Sequence, residues 1–130
     1  MPQTISSIMA ESVTVINVDD TIEDVECVLG AHKYSCLPVV DPDQHCFGII
    51  TSNDLARFHM QKGNAKRVRA WEICSHQLIE VPDSLAIGDA AQLIINNNIH
   101  HLIITENNSV TGIVSSIDLL KAYVAAYSSP

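Results

Sequence analysis

Apolar residues change spacing along the chain in an order that recurs. Residues 13–18 and 78–81 are short apolar extended pieces. Each is followed by turn and helix-start chemistry, Asp19-Asp20-Thr21 and Pro82-Asp83-Ser84. Spacing of three and four then puts Ile22, Val25, Val28 and Leu29 on one helix face. The same spacing groups Ile87, Ala90, Ala91, Ile94 and Ile95 on another. Two apolar runs come next in each case. Residues 37–40 and 46–50 flank Asp41-Pro42-Asp43-Gln44-His45, while 101–105 and 110–114 flank Glu106-Asn107-Asn108-Ser109. Polar turns between apolar runs predict hairpins. Closing helices are predicted over 52–61 and 116–127, and short helical or turn segments over 6–10 and 70–75. Trp71 is expected to anchor a core. The stripe Leu120, Tyr123, Val124 and Tyr127 on the last helix suits either packing on the sheet or a dimer face.

The element order β-α-β-β-α thus occurs twice, and the fold class is α+β. An internal repeat with a period of 64 to 65 residues underlies it. Ile8-Met9-Ala10 matches Ile73-Cys74-Ser75, and Leu37-Pro38-Val39-Val40 matches Leu102-Ile103-Ile104-Thr105. Gly48-Ile49-Ile50-Thr51-Ser52-Asn53-Asp54-Leu55 matches Gly112-Ile113-Val114-Ser115-Ser116-Ile117-Asp118-Leu119. The period divides the chain into repeats at 1–64 and 65–130. A unit of some 65 residues buries little alone, so the two are expected to pack about a pseudo-two-fold axis.

Composition narrows the function classes. A hydrophobic share of 47% excludes a disordered chain, and no apolar run approaches the ~20 residues of a membrane span. The start, Met1-Pro2-Gln3-Thr4-Ile5, shows no basic, apolar leader. Cys27, Cys36, Cys46 and Cys74 lack C-x-x-C spacing and are read as reduced core thiols, with Cys36 and Cys46 near each other across a hairpin; this points to the cytoplasm. The net charge is −8, but residues 57–69 carry five basic residues and no acid. An acidic globule disfavours nucleic acid, and the basic stretch reads first as a solvated connection.

The duplicated hydroxyl-x-x-Asp carries the candidate chemistry. Thr51 and Ser115 can cap the helices that follow, with Asp54 and Asp118 complementing the dipole. A strand feeding a helix start can equally cradle an anion or a nucleotide, and two equivalent copies favour a shared site. His100 and His101, as strand neighbours, point to opposite faces and make a poor chelating pair, so no metal is expected. Neither a G-x-S-x-G elbow nor a Walker-type loop occurs, so no catalytic residue is expected.

From about residue 4 to 126, these motifs, their spacing and their duplication resemble a tandem cystathionine-β-synthase (CBS) domain pair, or Bateman module. The resemblance implies a regulatory module binding AMP, ADP, ATP or S-adenosylmethionine in clefts between the repeats, with no obligatory cofactor. It also implies a homodimer signalling to an effector protein. Asp54 and Asp118 would accept hydrogen bonds from ribose hydroxyls, and Thr51 and Ser115 would contact phosphate. One cleft would combine Ser115 and Asp118 with Ile16, Tyr34, Ser35, Cys36 and Pro38. The other would combine Thr51 and Asp54 with Ile79, Ile99, His100, His101 and Ser75.

The chain departs from the family pattern in several places. Ser52-Asn53 and Ser116-Ile117 stand where basic residues often neutralise phosphate, and Glu80 stands where a neutral residue is usual. Ile103 replaces the proline of the Leu-Pro-Val run, and Ala10 replaces a frequent threonine. These departures support the alternative, a structural interaction module with degenerate clefts.

Overall fold

A computed structural model describes residues 3–9, 13–32 and 36–127. The chain forms two compact units. One is Thr14–Gln77; the other is Leu78–Pro130 together with Met1–Val13.

In the first unit, β1 (Ile16–Asn17) pairs in parallel with β2 (Cys36–Val40), and β2 pairs antiparallel with β3 (Cys46–Thr51). The parallel pair needs a crossover, supplied by α1 (Ile22–His32). Thr21 and Asp24 cap α1 reciprocally, and Ile22, Val25 and Leu29 face the core. All five residues of β2 are buried, as a middle strand requires. Pro38 is tolerated there because β1 reaches only Val39 and Val40. The helix α2 (Ser52–Met60) follows β3 without a loop and buries Leu55 and Phe58.

The second unit repeats this plan. β4 (Glu80–Val81) pairs in parallel with β5 (His101–Glu106), which pairs antiparallel with β6 (Ser109–Ser115). After the short α3 (Ala70–Ile73), the crossover helix α4 (Ile87–Asn97) ends at Asn98 in the left-handed conformation, whose N–H reaches the carbonyls of Ile94 and Ile95. A last helix, α5 (Ser116–Tyr127), follows β6 directly. The core gathers Ile5, Val81, Ala90, Ile94, Leu102, Ile104 and Val114.

Each unit is completed by the segment that precedes the other repeat. A 3-10 turn, Ile5–Ser7, docks on the second unit: Ile5 N–H donates to Leu85 O (2.9 Å) and Ile87 N–H to Gln3 O (3.0 Å). The counterpart is α3 (Ala70–Ile73), in the first unit, where Ala70 N–H donates to Asp20 O (2.8 Å) and Trp71 N–H to Val18 O (3.1 Å). The repeat boundary at 64/65 and the division into compact units are therefore different cuts through the chain. Strand and helix periodicity does not reveal which sheet a leading turn joins.

Several side chains depart from their expected places. Ala70 is the residue of α3 that enters the core, so Trp71 turns outward, 49% exposed. Ile95 lies past the edge of the buried face of α4 and is exposed, and Cys27 on α1 is exposed as well. Cys36 lies opposite Thr51 and Cys46 opposite Val40, so the two thiols are not direct cross-strand partners. No residue of α5 is buried; Leu120, Tyr123, Val124 and Tyr127 are exposed, so that stripe does not pack on the sheet. Among the described residues no helix is long and apolar enough to cross a membrane.

Candidate functional site

The two strand-to-helix junctions are built alike. At the first, Thr51 keeps extended backbone angles and caps α2. Its Oγ1 accepts from Asp54 N–H (3.3 Å), while Asp54 Oδ2 accepts from Thr51 N–H (2.8 Å) and Oγ1–H (3.0 Å). This reciprocal box satisfies helix-start donors that would otherwise be orphaned. The other carboxylate oxygen, Oδ1, accepts from Arg57 Nη2, one turn along α2. Asp54 is only 6% exposed and is the buried charged residue among those described. Burial pushes the Cys36 thiol, opposite Thr51, up to about 12, with the nearby Asp54 carboxylate and Cys46 adding to the shift. Cys74 is raised too, by burial and by Asp54.

The glycine opening this motif has a packing role. Ile49 and Ser75 exchange two backbone hydrogen bonds (2.9 and 2.8 Å), which brings the segment after α3 onto β3. A Cβ on Gly48 would lie 2.7 Å from Ser75 O and 2.8 Å from Cys74 Sγ. In the second copy, a Cβ on Gly112 would meet the methyl end of Met9 at 2.7 Å.

At the second junction, Asp118 Oδ2 accepts from Ser115 N–H (2.8 Å) and Ser115 Oγ accepts from Asp118 N–H (3.1 Å). Ser116 N–H donates to His100 O (2.9 Å), and His101 lies opposite Ser115. Burial lowers the pKa of His101, as does its neighbour His100, against the opposing pull of Asp118. Asp118 is half-buried, and no cation pairs with it among the described residues. No fully buried side-chain oxygen among them lacks a partner, so Asp118 Oδ1, which accepts no hydrogen bond from them, is not sealed from solvent.

The family model described as the CBS domain matches residues 5–60 and 70–125, and each match takes in one such junction. The chain belongs to the CBS-domain family. Among its relatives, this CBS pair is 26% identical over 111 residues to the CBS domain-containing protein YhcV of Bacillus subtilis, covering 85% of this chain and 79% of that one. It shares its fold with the CBS domain pair of protein MJ0100 in complex with 5′-methylthioadenosine and S-adenosyl-L-methionine. That likeness has a TM-score of 0.83 and 22% identity, over 97% of this chain and 99% of that one. It also shares its fold with CBSX2 in complex with AMP, at a TM-score of 0.80 and 21% identity, over 95% and 97% of the two chains.

Within each CBS repeat, the expected site residues fall into definite surroundings. Thr51, Asp54 and Cys36 lie together in the first, and Ser115, Asp118, His100 and His101 in the second. His100 is exposed and His101 half-buried. Ile16 is 1% exposed and sits in the first core, and Pro38 is buried in β2. Ile79 and Ile99 pack against the second core, and Ile79 O already accepts from Ile103 N–H (3.0 Å). Ser75 Oγ accepts from Gln77 N–H (3.2 Å). Tyr34, Ser35 and Ala10 lie outside the described residues. Glu80, the acid that departs from the family pattern, is exposed on β4.

Sequence reasoning missed Arg57. Its signal was the i, i+3 spacing from Asp54 on a predicted helix, which puts both side chains on one face. The first hairpin turn also brings Asp41, Asp43 and His45 close, but Asp41 Oδ1 holds the turn by accepting from the N–H groups of Asp43 (2.9 Å) and His45 (3.0 Å).

Proposed function

We propose that this CBS pair is a regulatory, non-catalytic module. It binds an adenosine-type ligand through its hydroxyl-x-x-Asp junctions and passes occupancy to an effector protein. The observation that carries this reading is the second junction, where one oxygen of Asp118 holds the helix start and the other is not sealed from solvent. A fixed carboxylate of that kind can accept both hydroxyls of a ribose cis-diol. The ligands of the MJ0100 and CBSX2 structures, S-adenosylmethionine, 5′-methylthioadenosine and AMP, all carry that diol and support the choice of class. Thr51 and Ser115 stand at helix starts, where phosphate is favoured. Ile16, Tyr34, Ser35, Cys36, Pro38, Ile79, Ile99, His100 and His101 are the proposed adenine-side residues. A homodimer formed through Ile117, Leu120, Tyr123 and Tyr127 on α5 would cover an apolar face that is 55 to 75% exposed. A ligand binding one arrangement of the module better than another would shift its population and so reach the effector.

Calorimetry with AMP, ATP and S-adenosylmethionine tests the reading, with Asp118→Asn as control. Binding that survives this substitution unchanged would refute the assignment. One observation favours a second reading, an interaction module without ligand: Asp54 already has both oxygens engaged by its own chain. A thermal-shift screen separates the two, because a ligand of the native state raises the melting temperature by mass action and a scaffold gives a flat response.

A further inference from the structure

The two acids of the repeated motif differ in what their carboxylates can still accept. A carboxylate offers about four lone-pair positions. Asp54 uses three: Oδ2 takes the N–H and the hydroxyl of Thr51, and Oδ1 takes Arg57. Asp118 uses one, on the N–H of Ser115. A cis-diol needs two. Access differs in the same sense, since Asp54 is 6% exposed while Asp118 is half-buried with an oxygen that is not sealed from solvent. Arg57 also pairs with Asp54, whereas the imidazole nearest in charge to Asp118, His101, is half-buried and forms no ion pair with it.

We infer that Arg57 acts as a built-in occupant of the first junction, so that the chain takes one adenosine-type ligand, at Asp118. This rests on the ligand reading above and adds its stoichiometry and its positioning residue. The Arg57 side chain is itself 68% exposed, so the contact is held from the solvent side and can be opened without disturbing the core.

Calorimetry with AMP and, separately, with 5′-methylthioadenosine, which has no phosphate, provides the test. It uses the wild-type chain, Arg57→Gln, Arg57→Lys and Asp118→Asn, with circular dichroism to confirm folding. The wild type should bind one ligand per chain. Asp118→Asn should weaken that event roughly ten- to hundredfold, the range for a lost hydrogen bond to a charged group. Arg57→Gln should add a second event for both ligands and leave the first unchanged, and Arg57→Lys, which keeps the charge, should stay at one. Two events in the wild type would overturn the inference and leave the ligand reading standing. So would an Arg57→Gln variant that binds AMP more weakly but 5′-methylthioadenosine equally well, since Arg57 would then be a phosphate contact. No binding by any variant would overturn the ligand reading and the inference together.

Discussion

Replacing Asp54 by asparagine should destabilise the first unit far more than the matching change at Asp118 destabilises the second. The asparagine has the same shape but no charge. Its amide oxygen has two lone pairs and can keep both Thr51 hydrogen bonds, but its NH2 group then faces the Arg57 guanidinium, itself a donor. Hydrogen bonds to a charged group contribute about 1.5–3 kcal/mol each, but three on one carboxylate do not add. With the Thr51 bonds kept, the Arg57 pair lost, and Arg57 itself 68% exposed and screened by solvent, the change should cost about 2 kcal/mol. Asp118→Asn keeps its one accepted bond through the amide oxygen and loses only a charge near a half-solvated helix start, about 0.5 kcal/mol. With a urea m-value of about 2 kcal/mol/M, the midpoint shifts are about 1 M and 0.25 M. Trp71 is the only tryptophan and lies in the same unit as Asp54, so its fluorescence follows that unit's unfolding, while circular dichroism follows the whole chain. A double-mutant cycle of Asp54→Asn with Arg57→Gln should show a coupling of about 1–2 kcal/mol. Equal shifts for the two acids, or no coupling to Arg57, would refute the reasoning.

Three further outcomes follow from the same contacts. Gly48→Ala pushes a methyl group onto backbone and a packed sulfur and should cost roughly 1–3 kcal/mol, whereas Gly112→Ala meets only the flexible end of Met9 and should cost under about 1 kcal/mol; matching urea midpoints would contradict this. With its thiol raised to about 12, Cys36 should be ~10⁻⁴ thiolate at pH 8 and react with a disulfide reagent about a thousandfold slower than an ordinary free thiol, while exposed Cys27 is labelled in the native state; mass spectrometry of labelled peptides would expose a fast Cys36. The lowered pKa of His101 means that the unfolded chain binds more protons just below pH ~6.5, so stability is full above that value and declines as pH falls toward the folded-state pKa. The loss in melting temperature between pH 7.5 and 5.5 should therefore be smaller in His101→Gln, and an identical loss would dismiss the effect.

Nearly all secondary structure was legible in the sequence because both periodicities are strong and the turns between them are polar. Both hairpins and the closing helices fall within a residue of their expected bounds, and the crossover helices carry the expected faces and run two or three residues past them. The extended pieces at 13–18 and 78–81 shrink to two paired residues each, Ile16–Asn17 and Glu80–Val81. Trp71 misled because residue size was read as burial, although Ala70 fills the core position beside it. At the site, the capping acids were legible from their spacing to Thr51 and Ser115. The engagement of Asp54 was not, because the motif ends one residue after the acid and Arg57 lies beyond it.

Most of the repeated motif is accounted for by folding alone. Its glycine is required at the first copy by the approach of Ser75 and Cys74 to β3. Its β-branched pair contributes Ile50 and Val114 to the cores, and its leucine adds Leu55. Its hydroxyl and one oxygen of its acid cap the helix at both copies. Thr21 and Asp24 build the same reciprocal cap at the start of α1, well away from either motif, so a cap does not by itself make a binding site. What folding leaves over is a single atom per repeat, the second carboxylate oxygen. In the first repeat Arg57 takes it; in the second it is not sealed from solvent. That difference between the two copies is what the proposed ligand site at Asp118 rests on.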